Sequence, residues 1–92
     1  MTMNIQPIVM YTTRFCPYCS RARQLLASKG WDYEEIAVDF DPAKRAEMME
    51  KSGRRTVPQI WVGDKHVGGC DELLSLERFG QLDSLVTGAR DE

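Results

Sequence analysis

The chain has one histidine and three cysteines, and neither count suits a structural metal site. A four-ligand zinc site needs a second pair of thiols or imidazoles at short spacing. After Cys16 and Cys19 only His66 and Cys70 remain, far along the chain and with no second CxxC or HxxxH, so no metal site is expected. Apolar runs are short, and none approaches the roughly twenty residues that span a membrane. The opening segment Met1-Thr2-Met3-Asn4-Ile5-Gln6-Pro7 has no basic stretch leading into an apolar one, which predicts no secretory signal. Positive charge is not in excess either. A net charge of −2 leaves nothing to neutralise a run of phosphates, so neither nucleic acid nor a membrane surface is an expected partner. Repeats and low-complexity segments are absent. An odd number of cysteines in such a chain fits a reducing cytoplasm, where thiols are kept for their reactivity.

What is present describes one small globular domain. With 92 residues, 42% hydrophobic and 28% charged, the chain is long enough for one modest core, and residues 1–92 read as a single domain with a frayed charged tail over 89–92. Ile8-Val9-Met10-Tyr11 is continuously apolar and predicts a strand buried on both faces. Ala22, Leu25 and Leu26 recur at helical spacing over 18–29, and Gly30 is placed to stop that helix. Alternation over 31–38 predicts a second strand, parallel to the first in a βαβ unit. Asp41-Pro42 reads as an N-cap and first helical position for a second helix reaching Gly53, with Ala46 and Met49 facing inward. A strand over 57–62, a Gly63-Asp64 turn and a returning strand over 65–67 form an antiparallel hairpin. Asp71 is placed to cap a third helix carrying Leu73, Leu74 and Leu76. After a break at Gly80, a last short helix turns Leu82, Leu85 and Val86 inward.

The chemistry concentrates in Cys16-Pro17-Tyr18-Cys19, between the first strand and the first helix. If Cys16 caps the helix and Pro17 takes its first position, where a missing N–H costs nothing, both sulfurs lie on one face of the first turn. The unpaired N–H groups there favour a thiolate at Cys16, and the thiolate is the nucleophile. Cys19, one turn further in, is then the resolving thiol. Arg14, Arg21 and Arg23 surround the pair in sequence, and Arg54-Arg55 precede Thr56-Val57-Pro58. Cys70 reads either as a small buried filler or as a residue whose backbone matters more than its thiol.

Three separated motifs, Cys16-Pro17-Tyr18-Cys19, Thr56-Val57-Pro58 and Gly68-Gly69-Cys70-Asp71, together with the order βαβαββα, resemble the dithiol glutaredoxins, most of all the bacterial glutaredoxin 3 group. The resemblance covers nearly the whole chain. It implies a thioredoxin-like α/β fold with a central four-stranded mixed sheet flanked by helices. It also implies a monomeric enzyme that reduces protein disulfides and glutathione mixed disulfides, with glutathione as reducing cosubstrate and no tightly bound cofactor. Its partners would be glutathione and disulfide-containing or glutathionylated proteins.

By the same resemblance, glutathione pairs with the backbone of Val57 beside a cis-Pro58, and its γ-glutamyl carboxylate meets N–H groups at Gly69, Cys70 and Asp71. Asp71 also receives the ammonium, unless it is only a helix cap. Tyr18, if it is more than exposed packing, rests against the ligand, and Thr56 lines the site. Where relatives have a lysine three residues before the first cysteine, this chain has Thr13. The cation for the glycyl carboxylate is then Arg14 or Arg54, with Arg55 in reserve. The alternative reading is a glutathione-ligated iron–sulfur cluster carrier, which Pro17 and the second thiol at Cys19 argue against.

Overall fold

The computed structural model describes residues 5–88, so the expectation for the 89–92 tail lies outside the described residues. Eight elements follow one another: β1 (Ile8–Thr12), α1 (Pro17–Lys29), β2 (Glu34–Ala37), α2 (Pro42–Ser52), β3 (Gln59–Val62), β4 (Lys65–Gly68), α3 (Cys70–Arg78) and α4 (Leu82–Thr87). They build a four-stranded sheet in the order β2-β1-β3-β4. β1 runs parallel to β2 and antiparallel to β3, and β3 is antiparallel to β4. The thioredoxin-like mixed sheet expected from the sequence is present.

The period of two along β1 divides its side chains between two cores. Ile8 and Met10 join Ala22, Leu26, Ile60, Val62, Leu73, Leu82 and Val86 in the larger one, under α1, α3 and α4. Tyr11 turns to the opposite face and packs with Val38 and Met48 beneath α2. Its ring meets Trp61 edge-on at 5.3 Å, and its hydroxyl donates to Glu47. The continuous apolar run of β1 therefore serves two faces, as a central strand must.

Several boundaries differ from the sequence expectation for identifiable reasons. The second strand begins at Glu34 rather than 31, because Trp31 still belongs to the end of α1: Gly30 is left-handed at φ 73° and the Trp31 N–H returns to the Leu26 carbonyl at 3.3 Å. The inward residue of α2 is Met48, wholly buried, whereas Met49 and Ala46 are exposed. Two adjacent methionines leave the helical phase open, and the space above Tyr11 and Val38 selects the first of them. The third strand starts at Gln59 and not at 57, since Pro58 has no N–H to give a ladder. α3 is capped by Gly69, not Asp71, which lies inside its first turn.

The register brings three distant segments to one end of the sheet. Tyr11 lies opposite Gln59, and Ile60 opposite Gly68. The loop leaving β1, the segment entering β3 and the glycines leaving β4 must therefore meet.

Candidate active site

At that meeting point α1 begins. Cys16 is its N-cap, with extended backbone at φ −134°, and Pro17 occupies the first helical position. The Cys16 sulfur takes the place of a capping oxygen: the Cys19 N–H donates to it at 3.1 Å. Its thiol faces the Val57 carbonyl across 3.8 Å. Cys16 is only 9% exposed and Cys19 not at all. The expected order of access therefore holds, though the first sulfur is more covered than a helix start alone suggests. Burial pushes the Cys19 thiol up to about 12, reinforced by its contact with Cys16.

Beside Cys16 a cleft of about 180 Å³ is lined by Tyr18, Arg54, Thr56, Val57, Pro58, Gly69, Cys70, Asp71 and Glu72. The Val57–Pro58 peptide is cis, as expected. Eight of those nine residues were expected from the sequence; Glu72 was not. Its carboxylate accepts the Gly69 N–H at 2.6 Å and pairs with the Arg54 guanidinium at 3.4 Å. These partners hold its carboxyl below the usual range, the Gly69 N–H foremost. A glutamate three residues after a helix cap is the signal for this arrangement, obscured here because the cap is a glycine with no side chain to reciprocate.

One expected residue stands apart. The Arg14 N–H and side chain both turn to Asp39, at 3.1 and 3.8 Å, and its guanidinium lies 5.0 Å over the exposed ring of Phe40. Arg14 is not part of the cleft wall. Arg55 is exposed, and the contact it makes is a carbonyl accepting from Arg45 at 3.4 Å. Arg54 is thus the cation that the structure puts in the cleft. Cys70 is buried, and burial pushes its thiol up. That suits a residue present for its backbone, which starts α3 at the cleft wall.

The glutaredoxin family model matches residues 8–67. The chain belongs to the glutaredoxin family. It is 59% identical over 81 residues to the glutaredoxin of Pseudomonas aeruginosa, covering 88% of this chain and 96% of the relative. To glutaredoxin 3 of Escherichia coli K12 it is 49% identical over 79 residues, covering 86% and 95%. Among solved structures it resembles the buckwheat glutaredoxin–glutathione complex (TM-score 0.83, 35% identity, covering 90% of this chain and 78% of that one). The solution structure of Brucella melitensis glutaredoxin is similar as well (TM-score 0.82, 49% identity, covering 96% of both chains). As a glutaredoxin the protein is a glutathione-dependent thiol oxidoreductase. No helix among the described residues is long and apolar enough to cross a membrane.

Proposed function

We propose that the cleft binds glutathione and that Cys16 and Cys19 divide the exchange chemistry, reducing both glutathione mixed disulfides and protein disulfides. The observation that carries this reading is the position of the Cys16 sulfur, which caps α1 on one side and looks across to the Val57 carbonyl on the other. A sulfur nucleophile at the helix N-terminus thus opens onto the edge of an extended backbone segment.

On a glutathionylated protein, the Cys16 thiolate attacks the glutathionyl sulfur. The S–S bond breaks, and its electron pair leaves on the protein thiol, which takes up a proton. A second glutathione, as thiolate, attacks the glutathionyl sulfur held on Cys16, releases glutathione disulfide and restores the Cys16 thiolate. On a protein disulfide, the Cys16 thiolate attacks one substrate sulfur, the substrate S–S bond breaks, and the other substrate sulfur leaves and takes up a proton. Cys19 gives up its proton and attacks the Cys16 sulfur, which breaks the mixed disulfide. The first substrate sulfur leaves as a thiol, and two glutathiones then reduce the Cys16–Cys19 disulfide, leaving as glutathione disulfide. Burial keeps Cys19 a resting thiol until that step.

In the cleft, the cysteinyl unit of glutathione pairs with the Val57 backbone, as a strand added to an open edge. Arg54 faces the glycyl carboxylate and Thr56 lines that end. The γ-glutamyl carboxylate meets the N–H groups of Cys70 and Asp71, Asp71 receives the ammonium, and Tyr18 covers the ligand. The buckwheat neighbour solved with glutathione supports glutathione as the ligand. The three free cysteines suit a reducing cytoplasm, where the enzyme acts as a monomer.

Single serine variants test the division of labour, each assayed on one glutathionylated and one disulfide-bonded protein with glutathione and glutathione reductase. Cys16→Ser should lose both activities. Cys19→Ser should keep deglutathionylation and lose reduction of the protein disulfide, and Cys70→Ser should change little. Activity retained without the Cys16 sulfur, or deglutathionylation lost in a folded Cys19→Ser, would overturn the assignment.

A further inference from the structure

Gln59 is a neutral polar side chain with no exposure at all, at the start of an otherwise apolar strand. A buried amide is tolerated only with its partners in place. Its Nε2 donates to the Thr56 carbonyl at 2.9 Å and to the Thr56 hydroxyl oxygen at 3.2 Å. Its Oε1 lies 2.8 Å from His66 Nε2. The direction of these bonds is fixed by chemistry. A carbonyl can only accept, so the amide nitrogen must face Thr56. The amide oxygen therefore faces His66, and His66 must carry its proton on Nε2.

His66 is itself held in place. Its ring lies on Trp61 with centroids 4.6 Å apart, and Trp61 meets Tyr11, which is bonded to Glu47 of α2. Burial also pushes the His66 imidazole down, away from the doubly protonated form. A chain of contacts thus runs from the far face of the sheet to the residue that lines the cleft just before Val57. The Thr56 oxygen accepts from Gln59 behind it, so its own hydroxyl proton is left to be donated into the cleft.

We infer that Gln59, oriented by His66, is a positioning residue that fixes the Thr56–Val57 segment and aims the Thr56 hydroxyl at a carboxylate of the bound thiol. The inference rests on the reading of the cleft as a glutathione site. It assigns part of the preference for glutathione over other thiols to a residue that touches no ligand. Sequence reading passed over Gln59 because it lies within a stretch that reads as plain strand; the signal was one polar residue on an otherwise apolar central strand.

The test uses three near-isosteric variants of the whole protein, Gln59→Leu, His66→Phe and Thr56→Val, and two reducing thiols, glutathione and 2-mercaptoethanol, which has no carboxylate. Circular dichroism confirms folding. Gln59→Leu should raise the KM for glutathione about tenfold, the size expected for a lost hydrogen bond to a charged group, while kcat and the reaction with 2-mercaptoethanol stay unchanged. His66→Phe should move the same KM in the same direction by less. Adding Gln59→Leu to Thr56→Val should raise it little further, because both act through one hydroxyl. A folded Gln59→Leu with the wild-type KM, or with equal losses for both thiols, would overturn the inference. A wild-type enzyme that shows no preference for glutathione over 2-mercaptoethanol would instead bring down the reading of the cleft, and the inference with it.

Discussion

Two helices point their N-termini at one cleft, and they are finished differently. α1 has no acidic residue in its first turn, a proline where one N–H would be, and a sulfur as its cap. α3 starts at a glycine with no side chain, carries Asp71 and Glu72 in its first turn, and already has a carboxylate on the Gly69 N–H. The positive end of α1 is thus left to the Cys16 sulfur, whereas that of α3 is partly answered from within the protein. A plain anion arriving at α3 meets two carboxylates. A zwitterion meets N–H groups for its carboxylate and an acid for its ammonium. The amino-acid end of glutathione, with both groups on one carbon, is the kind of ligand such a terminus accepts.

The strongest way to break the comparison is to spoil the finish of α3 alone. Gly68 has φ +120°, a left-handed value that side chains rarely adopt, and a Cβ there would come within 2.7 Å of Glu72 Oε1 and 2.9 Å of its Cγ. Gly68→Ala should cost about 2 kcal/mol of stability through backbone strain and displacement of Glu72. Denaturant unfolding measures this. The rate of Cys16 alkylation by iodoacetamide should not change, since α1 is untouched; a parallel fall in that rate would show that the two termini are not independent.

Next in size is Asp71→Ala. None of the described residues donates a hydrogen bond to the Asp71 carboxylate in the protein by itself, so it is free to serve a ligand. Its loss should raise the KM for glutathione about tenfold with the fold intact, because the helix is capped by Gly69 and not by Asp71. An unchanged KM would move the γ-glutamyl end of the ligand elsewhere.

The same contrast explains what could be read in the sequence. The α1 end was legible because its parts are contiguous: cap, proline and both thiols fall within Cys16 to Cys19, and local rules of helix starts apply. The hairpin and the cis-Pro58 segment were also legible, from turn chemistry and from the family motif. What escaped depends on pairing between segments that sequence does not bring together. Met48 displaced Met49 because the core above Tyr11 sets the phase of α2. Arg14 left the cleft because Asp39 and Phe40, from the loop between β2 and α2, took it. Glu72 entered the cleft because the register of β3 and β4 sets the start of α3 next to Arg54.

The smallest effect sharpens the comparison most. If the Glu72 carboxylate occupies the end of α3 at the expense of an incoming anion, Glu72→Gln should help glutathione bind, since the amide oxygen can still accept the Gly69 N–H while the charge is gone. It should also release Arg54 for the ligand. Exposed charges count for little, so the expected change is a fall in KM of about two- to threefold. The difference from wild type should shrink as salt is raised. The pH dependence follows from the lowered carboxyl of Glu72. Its bonds to Gly69 and Arg54 stabilise the fold above the ordinary carboxylate range and are lost as pH falls through the lowered value, because the folded state must then take up the proton. Wild-type enzyme should therefore lose more stability between neutral and acid pH than Glu72→Gln does. Because Glu72 stays ionised at mildly acidic pH, its opposition to glutathione should persist there, and the KM advantage of the variant should be the same at pH 5 as at pH 7. A KM that rises in Glu72→Gln would mean that this carboxylate supports the ligand, and the two helix ends would then differ less than their caps suggest.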